Sequence, residues 1–137
     1  MINNGNNNYN VPYSIITWLE RALTTHKNVL TLVRHDDVVF DITRRNQGDR
    51  LIIFCANEYV CGVTFVQQVL ADFPNCNIVS VGGGWNGYTY EAKEYCISSR
   101  IGLFVSNELM GALYKDEYWK YAQKNEEGEP IFHYRTP

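Results

Sequence analysis

Several signatures are missing from this sequence, and each absence narrows the choice. There is no run of the ~18 apolar residues that a membrane span requires, so the chain is expected to stay out of the bilayer. Residues 1–10, MINNGNNNYN, lack the basic start and apolar stretch of a secretory leader, which points to the cytoplasm or another reducing compartment. The four cysteines, Cys55, Cys61, Cys76 and Cys96, contain no C-x-x-C pair. A zinc site needs close pairs or a Cys/His cluster, so these thiols read as buried and reduced. His26, His35 and His133 are scattered beside no evident nucleophile, and no Gly-x-Ser-x-Gly elbow is present. Basic charge is also scarce. The net charge is −3 and the pI about 5.6, whereas duplex DNA binders usually carry a basic balance or stripe. The acidic group Glu126, Glu127 and Glu129 reads as solvated surface.

What is present is ordinary globular material. The 137 residues suit one domain, and 45% hydrophobic with 14% aromatic content supplies a core. Ten tyrosines raise the aromatic share; each offers an apolar face and a polar edge. Residues 1–10 are Asn-rich and read as a disordered lead, and residues 11–137 as a single domain without repeats or linker.

Hydrophobic periodicity then places the elements. Ile15, Ile16, Leu19, Ala22 and Leu23 recur at helical spacing from Pro12 to about His26. Val29–Val33 and Val38–Ile42 read as strands separated by the Asp36-Asp37 turn, and the stretch from Arg45 to Asp49 as a second turn. The unbroken apolar run Leu51–Ala56 marks a strand covered on both faces. A helix over Val63–Phe73 ends at Pro74, and a buried strand over Ile78–Val81 closes at Gly82-Gly83-Gly84. Tyr88–Ser99 suits a helix, Ile101–Val105 a strand, and Leu109–Gln123 a mostly helical segment. A polar tail follows, with a short strand at Ile131-Phe132. The order predicts an α/β fold: a mixed central sheet, antiparallel first and parallel later, with helices on both faces.

Three segments carry a resemblance. They are Val38-Val39-Phe40-Asp41-Ile42, then Leu51–Ala56 with VCGVTFVQQVL (60–70), and then NIVSVGGGWNGYTYEAKEYCISSRIGLF (77–104). In order and spacing they resemble the PD-(D/E)XK restriction-endonuclease-like superfamily, most closely its Mrr-type members, over about Val38–Leu109. The resemblance implies a three-layer nuclease fold with a carboxylate on one strand and a Glu-x-Lys pair on its neighbour. These would hold Mg²⁺ or Mn²⁺ and stabilise the attacking water. Asp41 matches the first position and is the candidate metal ligand. The Glu-x-Lys positions fall on Phe54 and Ala56, which can do neither job, so the site is expected to be degenerate. Glu58, just past the strand, and Glu20, on the first helix, are the candidate replacement carboxylates. Asp41 and Glu20 also read as a satisfied strand residue and a solvated helix residue.

Other features suggest binding. Arg44, Arg45 and Arg50 form a local basic group around the Asp41 hairpin. Trp85, Tyr88 and Tyr90 lie beside the glycine turn, suited to stacking on bases, to anchoring a partner or to capping the core. Lys93 follows on the Thr89-x-Glu91-Ala92-Lys93-x-Tyr95 helix. The triple glycine lacks the Gly-Lys-Ser/Thr of a phosphate loop. The expectation is a degenerate nuclease-like domain that needs no cofactor. It would bind through Asp41, Arg44, Arg45, Trp85, Tyr88 and Lys93, to a protein partner in an immunity-type or nuclease-subunit role before nucleic acid. The alternatives are an active metal-dependent DNA endonuclease, and a binder of small anions at Gly82–Gly87.

Overall fold

The computed structural model describes residues 4–137. Helix α1 (Tyr13–Thr24) leads into strands β1 (Val29–His35), β2 (Val39–Arg44) and β3 (Arg50–Cys55). Short β4 (Val60–Cys61), helix α2 (Val63–Asp72), β5 (Ile78–Ser80) and short β6 (Gly87–Tyr88) follow. Then come α3 (Tyr90–Ser98), β7 (Gly102–Phe104), α4 (Ser106–Ala112), and the two-residue strands β8 (Gln123–Lys124) and β9 (Pro130–Ile131).

The main sheet has the order β1-β2-β3-β5-β7. β1, β2 and β3 form an antiparallel meander, and β3, β5 and β7 are parallel. This is the mixed α/β sheet that the element order predicts. Both crossovers run in the same direction across the sheet, which puts α2 and α3 on one face. Phe54 points to that face and meets Phe65 and Phe73. The neighbouring Cys55 points the other way, towards Leu19 and Trp18 of α1. The core between the layers is aliphatic and aromatic, with Ile16, Leu23, Phe40, Ile53 and Ile78 fully buried.

Local chemistry explains the boundaries. Asp36 and Asp37 both have positive φ (50° and 63°), the backbone twist that a tight β1–β2 hairpin needs. The Thr89 side chain caps α3 by accepting from the Ala92 N–H at 3.0 Å. That moves the helix start to Tyr90 and frees Gly87-Tyr88 to pair with β4.

Two expectations are corrected. The helix expected over Leu109–Gln123 stops after Ala112, and only a 3-10 turn at Tyr118–Lys120 follows. The carbonyls that would continue it are diverted: Leu113 O accepts from Asn28 Nδ2 (2.7 Å) and Lys115 O from Arg44 Nη1 (2.5 Å). Residues 1–3 of the expected disordered lead lie outside the described residues. Residues 4–10, however, are tied down. The buried Asp37 carboxylate accepts from Asn4 N, Gly5 N and Asn7 Nδ2 at 2.8–2.9 Å, and Tyr9 packs on Phe54 with ring centroids 4.7 Å apart. No helix among the described residues is long and apolar enough to cross a membrane.

Candidate functional site

Strand alternation puts Asp41 and Phe54 on the same face of the sheet, since Asp41 lies opposite Ile52 and Val39 opposite Phe54. This is the face on which the resemblance led us to expect metal ligands. The Asp41 carboxylate instead accepts both Nε (3.1 Å) and Nη2 of Arg50, a two-pronged ion pair. Phe54 stands in an aromatic cluster with Tyr9, Phe65 and Phe73, at centroid distances of 4.7–6.3 Å. The Tyr9 hydroxyl donates to Asp72, and burial beside that carboxylate raises its pKa. Ala56 is fully buried. A carboxylate committed to an arginine, a phenyl ring and a methyl group do not fit a divalent cation.

The replacement carboxylates do not converge on Asp41. Glu58 lies past the carboxyl end of β3, roughly 10 Å beyond the Ile52 level even at Cys55, given the rise of an extended chain. Its pKa is raised by burial. Glu20 sits on α1, on the opposite face from Phe54, and pairs with Arg34 Nε at 3.6 Å. Among the described residues, no three His, Cys, Asp or Glu side chains gather as metal ligands.

The expected binding face also changes. Arg44 is 1% exposed. Its guanidinium is bidentate to Asp49 (2.8 and 2.8 Å), donates to the Lys115 carbonyl and lies over the Tyr118 ring. It ties the β2–β3 turn to the segment after α4 and presents nothing to a partner. The Arg44 guanidinium holds the Asp49 carboxyl below its usual range. Arg45 is exposed, with Nε donating to Lys27 O at 3.3 Å. Trp85, 82% exposed, follows β5, at the opposite end of the sheet from Arg44. Arg44 and Trp85 therefore do not share a surface.

Tyr88 and Lys93 are buried, not exposed binders. Tyr88 OH donates to both oxygens of the buried Glu108 (2.9 and 3.1 Å) and accepts from His133 N (3.1 Å). Glu108 also accepts from Val105 N at 2.9 Å. Lys93 Nζ donates to Leu103 O at 2.7 Å and lies 4.4 Å from the Phe104 ring centre and 5.2 Å from that of Tyr88. Burial moves the lysine down to about 8 and pushes the tyrosine well up. The C-terminal tail closes this group. Phe132 lies over Lys93, and Tyr88 N donates to His133 O while Arg135 N donates to Tyr88 O (3.1 and 2.9 Å). Gly87 permits the approach, since a Cβ there would collide with the His133 carbonyl oxygen.

Around the tail lies an exposed aromatic surface. Tyr134 packs on Tyr90 (5.6 Å), Arg135 lies over Tyr59 (5.9 Å), and Arg135 Nε donates to Trp85 O (3.4 Å). Tyr59, Trp85 and Tyr90 are all more than half exposed. Trp85 and Tyr90 stand out in the sequence as binding candidates, while Tyr59, Tyr134, Arg135 and the buried Glu108 do not. The faint signal is the alternation Phe132-His133-Tyr134, which fits the way the tail runs beside β6.

Comparison with protein-family models, curated proteins and solved structures returns no match.

Proposed function

We propose that this chain is a catalytically inactive domain of the restriction-endonuclease-like kind that works by binding a protein partner. The carrying observation is the aromatic cluster of Phe54 with Tyr9, Phe65 and Phe73, on the strand where a nuclease of this kind needs Glu-x-Lys. The pairing of Asp41 with Arg50 supports the same reading. The binding surface is the group Tyr59, Trp85, Tyr90, Tyr134 and Arg135. Tyr, Trp and Arg are the residue types that dominate protein interfaces, because they bury large area at low entropy cost. Nucleic acid is less favoured: the net charge is −3, Arg44 is buried, and Arg50 is neutralised by Asp41. A small-anion site at Gly82–Gly87 has little support, since the cavity beside Gly82 and Gly83 is lined by no lysine or arginine.

The test is quantitative affinity capture from the native host, with the wild-type chain beside Trp85→Ala/Tyr90→Ala. Both side chains are exposed, so the fold should persist. A captured protein lost in the double variant supports the reading. Capture unaffected by it, or salt-sensitive retention of nucleic acid that needs Trp85 and Tyr90, overturns it.

A further inference from the structure

A cavity of about 250 Å³ opens at the carboxyl edge of the parallel strands, between α1 and the glycine turn. In open α/β sheets this edge is where ligands enter. Cys55 and Ala56 from the end of β3, Ser80 from the end of β5, Gly82, Gly83 and Ser106 form one wall. Ser14 and Trp18 of α1 stand on the other, and Trp18 is half-exposed at 49%. The strand-end wall is made of cysteine, alanine, serine and glycine, and a larger side chain among them would fill the space. Gly83 is exposed at the cavity rim, where a Cβ would meet nothing within 4 Å.

The lining chemistry limits what fits. No Asp, Glu, Lys, Arg or His borders the cavity, and an ion placed there would lose its hydration without a counter-charge. Burial pushes the Cys55 thiol up to about 12, so it is a neutral thiol and not a nucleophile near neutral pH. Three serine hydroxyls supply the polar contacts, since the Gly82 and Gly83 carbonyls already accept from Ser106 N and Asn86 N. Ser106 Oγ donates to Gly82 O at 2.9 Å, which steadies the turn and leaves the hydroxyl oxygen as an acceptor. Trp18 supplies a flat apolar surface. The volume lies below the roughly 300 Å³ at which drug-sized pockets begin, which suits one or two fused rings.

We propose that this cavity binds a free, uncharged planar nitrogen heterocycle, a nucleobase or nucleoside, with the Trp18 indole as stacking wall and the serine hydroxyls reading the ring edge. Stacking against an aromatic side chain is worth on the order of 1–3 kcal/mol per base, and serine hydroxyls can pair with both donors and acceptors of a base. The site is separate from the aromatic surface around Trp85 and does not depend on that surface having a partner.

Calorimetric titration and ligand-observed NMR of the full chain with adenine, uracil and adenosine test this. Indole and inorganic phosphate serve as controls. At least one base is expected to bind saturably with Kd below about 1 mM. Gly83→Leu, which adds a bulky side chain at the cavity rim, and Trp18→Ala, which removes the stacking wall, should each weaken binding at least about tenfold. Trp18 is half-exposed, so its variant keeps the test decisive if Gly83→Leu fails to fold. The proposal is overturned if no base binds saturably, or if both substitutions leave binding unchanged. It also fails if indole binds as tightly as the bases, which would mark a plain apolar hole, or if phosphate displaces them.

Discussion

Replacing Arg44 by alanine tests the claim that this residue is an internal tie and not a binding residue. Three things are lost together. The bidentate pair with Asp49 goes, but Asp49 is 45% exposed and water can solvate it, so this costs on the order of 1 kcal/mol. The Lys115 carbonyl loses its donor in a part-buried site, for roughly another 1 kcal/mol. The buried side chain, whose guanidinium lies over the Tyr118 ring, leaves a cavity of similar cost, ~1 kcal/mol. The expected loss is about 3 kcal/mol, or about 10 °C in Tm for a domain of this size. Arg45→Ala, one residue away and exposed, should cost less than about 0.5 kcal/mol. Urea unfolding of both variants, followed by circular dichroism, measures the contrast. The Asp49 pKa lies below its unfolded value, so the pair stabilises the fold above the unfolded pKa and fades as pH falls through the folded one. Arg44→Ala should therefore flatten the acid side of the stability profile. Equal, small losses in both variants would refute the reasoning.

Two further predictions follow from buried groups. Cys55, Cys76 and Cys96 are pushed by burial from about 9.0 up to about 12, and Cys61 also upward. Above about pH 9 the unfolded chain ionises these thiols and the folded chain does not, so stability should fall as pH rises from 9 towards 12. Lys93 opposes this between about 8 and 10.5, where the unfolded chain holds a proton that the folded one has released. One lysine against four thiols leaves the net slope downward. Denaturant midpoints across this range in reductant check it, and a flat profile would contradict it. Gly87→Ala should push the tail off β6, because its Cβ has no room beside His133 O. Limited proteolysis should then cut within 130–137 faster than in the wild type, and unchanged cutting would show that the tail does not depend on this approach.

Much of the fold was readable in advance because its strongest signals are local. The unbroken apolar run Leu51–Ala56 and the glycine turn after Ile78–Val81 place β3 and β5 directly, and their neighbours follow from helical spacing. The missed features are long-range. Nothing near Arg44 announces that carbonyls some seventy residues later will enclose it. Nothing within the Asn-rich lead announces that Asp37 will gather its amides. The tail reads as polar residue by residue, and only its pairing with Tyr88 makes it part of the body. At the candidate site, the mismatch at Phe54 and Ala56 followed only from the resemblance to the nuclease superfamily. The aromatic cluster formed there was not, because Tyr9 comes from a segment of disordered-looking composition.

On the proposed reading, the Asp41 face holds no working metal site. The most direct measurement is incubation of the purified chain with labelled single- and double-stranded DNA in Mn²⁺ and in EDTA, beside Asp41→Ala. No metal-dependent cleavage is expected, and no difference between the two proteins. Cleavage that requires Mn²⁺ and disappears in Asp41→Ala would contradict that reading.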